Sequence, residues 1–183
     1  ARDTVSFNLT VKKAVAASGG GGEDSPAPST ASNLTDGQIA AFLANNQSID
    51  LEFSELNISI NPGALPNLNG GTLQINANVV TNSNELNTFF IQYPGQQGVM
   101  RGYNITFTRV NNGQTENITE LNGEITLTFE FTEQELEGLD PSTLVVYKQG
   151  ADGSITELSG DFDWETNSLS VSTSHLCKFF IMG

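Results

Sequence analysis

The stretch that decides the fold is residues 101–131, RGYNITFTRVNNGQTENITELNGEITLTFEF. Runs with apolar residues at every second position flank the Asn111-Asn-Gly signal, and Asn122-Gly marks another turn before residues 124–131. Alternation with a period of two predicts half-buried strands, and an Asn-Gly pair between such runs is typical of a hairpin. This stretch therefore predicts consecutive antiparallel strands.

The same signals continue on both sides of this stretch. Turn signals rich in Asn, Asp, Gly and Pro separate short runs of β-forming residues. The predicted strands are 49–60, 72–80, 86–93, 101–110, 124–131, 143–149, 154–158, 169–173 and 177–182. Short strands at this spacing predict an all-β, antiparallel β-sandwich.

Helical signals are few. Thr35 or Asp36 can cap a short helix that carries an apolar stripe of Ile39, Phe42 and Leu43 and ends at Asn45-Asn46. A helical turn is also expected at residues 132–136, where Thr-Glu-Gln-Glu has the pattern of a capping box. We expect the acidic residues that follow Thr132 to be solvated.

The N-terminal region differs from the rest in pattern and charge. Residues 1–17 contain a strictly alternating strand with one apolar face, and their basic residues outnumber their acidic ones. That apolar face comprises Val5, Phe7, Leu9 and Val11. Residues 18–32 are rich in Gly, Pro and Ser and predict a linker, so the body of the sandwich is expected at residues 33–183.

A lone strand is not stable in water, so the apolar face of residues 4–12 must be covered by a sheet. One interpretation is that the strand adds to the sheet of the next copy of the chain, which gives a head-to-tail filament. A second is that it folds back on its own body. A third is that it is the last strand of a preceding domain.

Composition excludes several functional classes. The chain has 183 residues and a formal net charge of −14, which argues against binding to nucleic acid or to anionic lipid through bulk charge. One Cys cannot form an intrachain disulfide, and one His cannot form a His-rich metal site. No apolar run is long enough for a membrane-spanning helix, and no cofactor is expected.

Three stretches resemble the ZU5/GAIN-like β-sandwich modules of surface proteins, over residues 48–183. They are Leu56-Asn-Ile-Ser-Ile-Asn-Pro-Gly-Ala-Leu65, the run from Leu121 to Phe129 with Leu139-Asp-Pro-Ser-Thr-Leu-Val-Val-Tyr147, and the closing Ser174-His-Leu-Cys-Lys-Phe-Phe-Ile-Met182. The resemblance implies an extracellular β-sandwich used for structure or adhesion.

In some relatives the closing motif is an autoproteolysis site. The resemblance implies that His175 would activate Cys177, a thiol that is partly ionised near neutral pH, to attack the carbonyl of Leu176. Such cleavage also needs a strained turn before Cys177. The alternative is a core strand in which Leu176, Phe179 and Ile181 are buried and the Cys is a small apolar residue.

Two further sets of residues are candidates for sites. Asp161, Asp163 and Glu165 would share one face of an extended strand and could hold Ca²⁺, although an ordinary strand edge with Trp164 in the core is the alternative. Acceptor sequons for N-glycosylation occur at Asn8, Asn33, Asn46, Asn57, Asn104 and Asn117.

We therefore expect an extracellular structural subunit, not an enzyme. Its partner would be another copy of itself, and residues 4–12 would be the donor strand of a surface or matrix filament. The alternative is a ZU5/GAIN-like stalk or adhesion module that does not polymerise. Whether it binds a carbohydrate or a host ligand is left open by the sequence.

Overall fold

The computed structural model describes residues 30–92 and 99–183. The chain is mostly β, with two antiparallel sheets packed together, which confirms the predicted fold class. The donor strand at residues 4–12, the sequon at Asn8 and most of the predicted linker lie outside the described residues.

Twelve strands and three α-helices are described. In chain order they are β1 (Thr30–Thr35), α1 (Asp36–Ala44), β2 (Ile49–Phe53), β3 (Leu56–Ile60), β4 (Thr72–Val79), α2 (Ser83–Gln92), β5 (Val99–Asn111), β6 (Gln114–Ile118), β7 (Glu120–Glu130), α3 (Glu133–Leu136), β8 (Val145–Gln149), β9 (Ile155–Leu158), β10 (Gly160–Asp163), β11 (Ser168–His175) and β12 (Lys178–Met182). Short 3-10 turns at Pro62–Ala64 and Pro141–Thr143 precede β4 and β8.

The strands form two sheets, which we call sheet I and sheet II. Sheet I has the order β1-β4-β5-β12-β8-β9, and β6 also pairs with β5; sheet II has the order β10-β11-β7-β3-β2. Strand β5 is long enough to pair with β12 along its first half and with β6 along its second half, on the same side. The long strand thereby holds the centre of sheet I together.

The main core lies between the two sheets. Alternate residues of each strand point inward, and Leu51, Leu127, Phe107 and Phe179 are fully buried there. A second apolar cluster lies on the outer face of sheet I, where Phe89 of α2 packs on Phe180, Tyr147 and Met182. Sheet I is therefore buried on both faces at its centre.

Both short helices predicted from capping signals are present. Thr35 caps α1 through a capping box with Gln38, and Thr132 caps α3 through the same reciprocal pattern with Glu135. The predicted apolar stripe on α1 holds only in part. Ile39 and Phe42 pack against the core, but Leu43 is exposed because it lies at the end of the helix.

The predicted hairpins at the Asn111-Asn-Gly and Asp152-Gly signals are confirmed. Asn112 and Gly113 take positive φ angles of 49° and 77° between β5 and β6. Asn and Gly tolerate this left-handed region, which a two-residue hairpin turn requires. Gly153, with a φ of 81°, lies between the paired strands β8 and β9.

Two predicted strands and the end of the predicted linker need correction. Residues 86–93 were predicted as a strand, but α2 extends to Gln92; its amides are capped by Asn82, whose Oδ1 accepts from Asn84 N at 3.0 Å. The predicted strand 49–60 is a hairpin that turns at Ser54-Glu55. Strand β1 begins at Thr30, within the predicted linker, because the chain pairs with β4 from Thr30 onward.

Candidate functional site

The closing motif forms a corner between the two sheets. The chain leaves sheet II at His175 and enters sheet I at Lys178, so that Leu176 and Cys177 make the crossing. Leu176 N donates a hydrogen bond to Thr119 O at 2.9 Å, at the point where the chain crosses from β6 to β7. Two crossings are thus tied to each other, which gives the motif a structural role.

The geometry of this corner does not favour autoproteolysis. The His175 ring is half exposed, and it contacts Ser174 Oγ at 3.1 Å and a Glu120 carboxylate at 3.7 Å. Burial raises the pKa of the Cys177 thiol to about 11, although Lys148 opposes the rise. The expectation of a partly ionised thiol is therefore wrong, because a thiol with this pKa is almost fully protonated at neutral pH.

The core-strand alternative describes the corner better. Leu176, Phe179 and Ile181 are buried, and Cys177 packs partly buried against the main core. Neither Leu176 nor Cys177 is among the residues with positive φ in the described chain. These residues therefore support the packing of the two sheets.

The three carboxylates of the calcium candidate do not converge. Asp161 and Asp163 lie on the exposed face of β10, whereas Glu165 follows in the turn, where its backbone N–H donates to Asp163 Oδ1 at 2.8 Å. No group of three or more His, Cys, Asp or Glu side chains within the described ranges could hold a metal ion. The alternative of Trp164 in the core is also wrong, since its side chain is 64% exposed.

The described sequons differ in accessibility. Asn33, Asn46 and Asn117 are exposed, on β1, after α1 and on β6. Asn57 is half buried, and its side-chain amide donates to Glu130 Oε1 at 2.7 Å. Asn104 is half buried on the outer face of sheet I.

A buried arginine, which the sequence analysis did not single out, joins the sheets at one end. Arg101 on β5 is 8% exposed; its Nε donates to Glu135 Oε1 at 3.0 Å, and its Nη1 donates to Glu130 O at 2.7 Å. Its guanidinium also lies 3.3 Å from Glu55 and 5.2 Å from the centre of the Phe131 ring. These contacts link sheet I to α3, to the β2–β3 turn and to the end of β7.

The two titratable side chains beside Arg101, those of Glu135 and Tyr103, have pKa values that are shifted in opposite directions. Burial alone would raise the pKa of Glu135, but hydrogen bonds from Arg101 and Thr132 outweigh it and lower this pKa. Burial raises the pKa of the Tyr103 hydroxyl, and the nearby guanidinium opposes that rise. The cluster is held together by charge-assisted hydrogen bonds, which a simple sequence pattern does not reveal because Arg101 lies 29 residues before Glu130 and 34 before Glu135.

A row of polar side chains on the outer face of sheet I was also missed. Asn78, Asn104, Lys178 and Gln149 lie directly opposite one another on β4, β5, β12 and β8. Glu85 of α2 forms an ion pair with Lys178. A cleft of about 400 Å³ is bordered by Asn104, Gln149 and Lys178, together with residues of the corner and of the β8–β9 turn.

The two margins of the sandwich are closed to different extents. At one margin α1 connects β1 to β2, and the inward residues Leu34, Ile49 and Leu51 are buried. At the other margin the inward residues Leu158 of β9 and Phe162 of β10 are only half buried. The exposed Trp164 packs edge-on against Phe162, with 5.1 Å between the ring centres.

Comparison of the chain with protein-family models, with curated proteins and with solved structures gives no significant match. Each helix within the described ranges is too short or too polar to span a lipid bilayer.

Proposed function

We propose that this chain is a structural module of an extracellular or cell-surface protein. The observation that carries the proposal is that every described strand contributes to one shared core. Residues from the first described strand to the last one fill the space between the sheets, from Leu34 on β1 to Ile181 on β12. A sandwich whose described strands share one core can serve as a self-contained unit in a longer assembly.

The chemistry of the corner supports the same proposal. The best nucleophile predicted from the sequence has a thiol pKa of about 11, and its expected activator is half exposed and turned toward Ser174 and Glu120. The hydroxyl and carboxamide side chains on the outer face of sheet II lie on a regular sheet surface. Such a surface suits contact or spacing rather than catalysis.

Light scattering after size-exclusion chromatography, with electron microscopy, tests this proposal. Residues 30–183 and the full chain should both give a folded monomer if the module acts as a passive stalk. Aggregation or loss of structure in residues 30–183 would contradict it, because that result would mean that the core needs the N-terminal strand.

Self-assembly by strand addition is a second candidate, favoured by the margin at β9 and β10, beyond which no other strand of the described residues pairs. The half-buried Leu158 and Phe162 leave apolar surface there for the face of residues 4–12 that carries Phe7 and Leu9. Acidic residues at β10 are complementary to the basic residues of the N-terminal segment. Main-chain bonds to the free edge of a strand would supply the affinity.

Charge placement on the donor strand tests this candidate. Phe7→Asp or Leu9→Asp should abolish oligomers, because each places a charge on the apolar face that must be buried. Ser6→Asp is the matched control, with the same new charge on the opposite face, and should keep them. Equal assembly of all three variants and the wild type would contradict strand addition.

A further inference from the structure

The polar row on the outer face of sheet I brings an amine next to two carboxamides. Lys178 on β12 lies directly opposite Asn104 on β5 and Gln149 on β8. All three side chains project from the face that carries Phe180, because residues two apart on a strand share a face. Directly opposed residues in antiparallel strands have Cβ atoms about 4.5–5.5 Å apart, which is within reach of a lysine side chain.

A carboxylate from a third element completes this arrangement. Glu85 of α2 pairs with Lys178, and the two side chains are 29% and 39% exposed. The neighbouring apolar cluster of Phe89, Phe180 and Tyr147 limits the access of water on one side, and Phe89 stacks on Phe180 with 4.2 Å between ring centres. The amine, the carboxamide and the carboxylate are therefore held by three packed elements.

We propose that Lys178 and Asn104 form an intramolecular isopeptide bond. Glu85 accepts a proton from the Lys178 ammonium, and the neutral Nζ attacks Cγ of Asn104. The carboxamide nitrogen then takes up this proton from Glu85 and leaves as ammonia, and Glu85 accepts the second proton, which Nζ loses as it becomes the amide nitrogen. One C–N bond forms and one breaks, so that the step needs no oxidant, reductant or other reactant.

The neighbours of the two carboxamides favour Asn104 over Gln149 as the acceptor, because Asn104 lies opposite the polar Asn78 and Gln149 lies opposite the apolar Ile155. Helix α2 packs on β5, the strand that carries Asn104, and Val80 N donates to Gly102 O at 2.7 Å just before the helix. Asn78 lies on the far side of Asn104, where its amide can donate to the oxygen that becomes negative during attack.

Such a bond would join two central strands of sheet I that are far apart in sequence. A covalent link of this kind stabilises a fold chiefly by restricting the unfolded chain, as a disulfide does. The single Cys of this chain cannot provide an intrachain disulfide. The cross-link would give the module resistance to unfolding by another route.

Intact-mass spectrometry of the full chain, produced in cells that do not glycosylate it, tests the proposal. We expect a mass below that of the sequence by one ammonia molecule, and a branched peptide that links Lys178 to Asn104 after proteolysis. Lys178→Arg, which keeps the positive charge, and Asn104→Ala should both restore the full mass. Glu85→Gln should slow or abolish the loss of ammonia.

Gln149→Ala is the matched control, because it removes the carboxamide on the other side of Lys178 and should keep the deficit. A wild-type mass equal to that of the sequence would overturn the proposal. A deficit that survives Lys178→Arg would also overturn it, since it would indicate cyclisation of an asparagine instead. A deficit lost in Gln149→Ala but kept in Asn104→Ala would overturn the choice of acceptor.

Discussion

The two sheets bury their residues in different ways. On β2 of sheet II, buried and exposed residues alternate, with Asp50 and Glu52 facing solvent. On β12 of sheet I, the run from Phe179 to Met182 is buried throughout. The difference arises because α2 covers the outer face of sheet I. The continuous apolar run on β12 therefore reflects burial on both faces of this strand.

Charged residues are also distributed differently between the two sheets. All four Lys and Arg residues of the described chain lie on strands of sheet I: Arg101, Arg109, Lys148 and Lys178. The strands of sheet II contain no Lys or Arg, but they carry acidic residues at both edges and on the central strand β7. One row across its outer face runs Asp161, Ser170, Thr128, Asn57 and Glu52. Sheet II thus presents an acidic, hydrated surface, and sheet I carries a second packed layer.

The largest expected effect is in the core that both sheets share. Phe107→Ala should destabilise the protein by about 3–5 kcal/mol, because it leaves a cavity between the sheets at a fully buried position. Chemical denaturation should show one cooperative transition at a lower midpoint. An unchanged midpoint would contradict the assignment of this residue to the core.

The second packed layer should be less costly to disturb. Phe89→Ala should cost about 2–3 kcal/mol, because α2 covers only part of the outer face and can open locally. Hydrogen exchange should accelerate on α2 while β7 stays protected. Equal acceleration on both would mean that the outer layer and the shared core unfold as one unit.

Low pH should destabilise the end of the sandwich where Arg101 joins the two sheets. The pKa of Glu135 is lower in the folded state, so its contribution to stability is complete above the unfolded pKa of a carboxyl group and is lost as the pH falls through the folded pKa. Denaturation midpoints measured from pH 6 to pH 2 should therefore fall. Glu135→Gln should be less stable near neutral pH and should show a weaker dependence on pH, and a slope equal to that of the wild type would contradict this role.

The smallest expected effect is at the corner between the sheets. With its pKa near 11, the Cys177 thiol should react with iodoacetamide far more slowly at pH 7 than an unfolded control does. The rate should rise with pH beyond pH 9. Cys177→Ser should change the intact mass only by the difference between the two side chains. Rapid alkylation of the folded wild type at pH 7 would contradict the burial of this thiol.

Much of the fold could be predicted from local patterns. Alternation and Asn-Gly turns predicted β5, β7 and the β8–β9 hairpin, because these features depend on neighbours in the sequence. Helix α2 was missed because a run such as Phe89-Phe90-Ile91 suits either a helix or a strand, and the packing against Phe180 decides between them. Tertiary contact here overrides the local preference.

The candidate sites were harder to predict than the fold. The resemblance drew attention to His175 and Cys177, which lie two residues apart in the sequence and serve a structural corner. The row around Lys178 depends on the register between β5 and β12, which is set by pairing of distant segments and cannot be read from either segment alone. Sequence patterns show which residues share a strand face, but not which residues on other strands they oppose.

The most direct test of the structural-module proposal is to compare the unfolding of residues 30–183 with that of the full chain under the same conditions. We predict cooperative transitions with the same midpoint and the same slope, because every described strand, from β1 onward, contributes to one core. A lower midpoint or a lost transition in residues 30–183 would contradict the proposal, since it would show that the N-terminal strand is part of the module's own core.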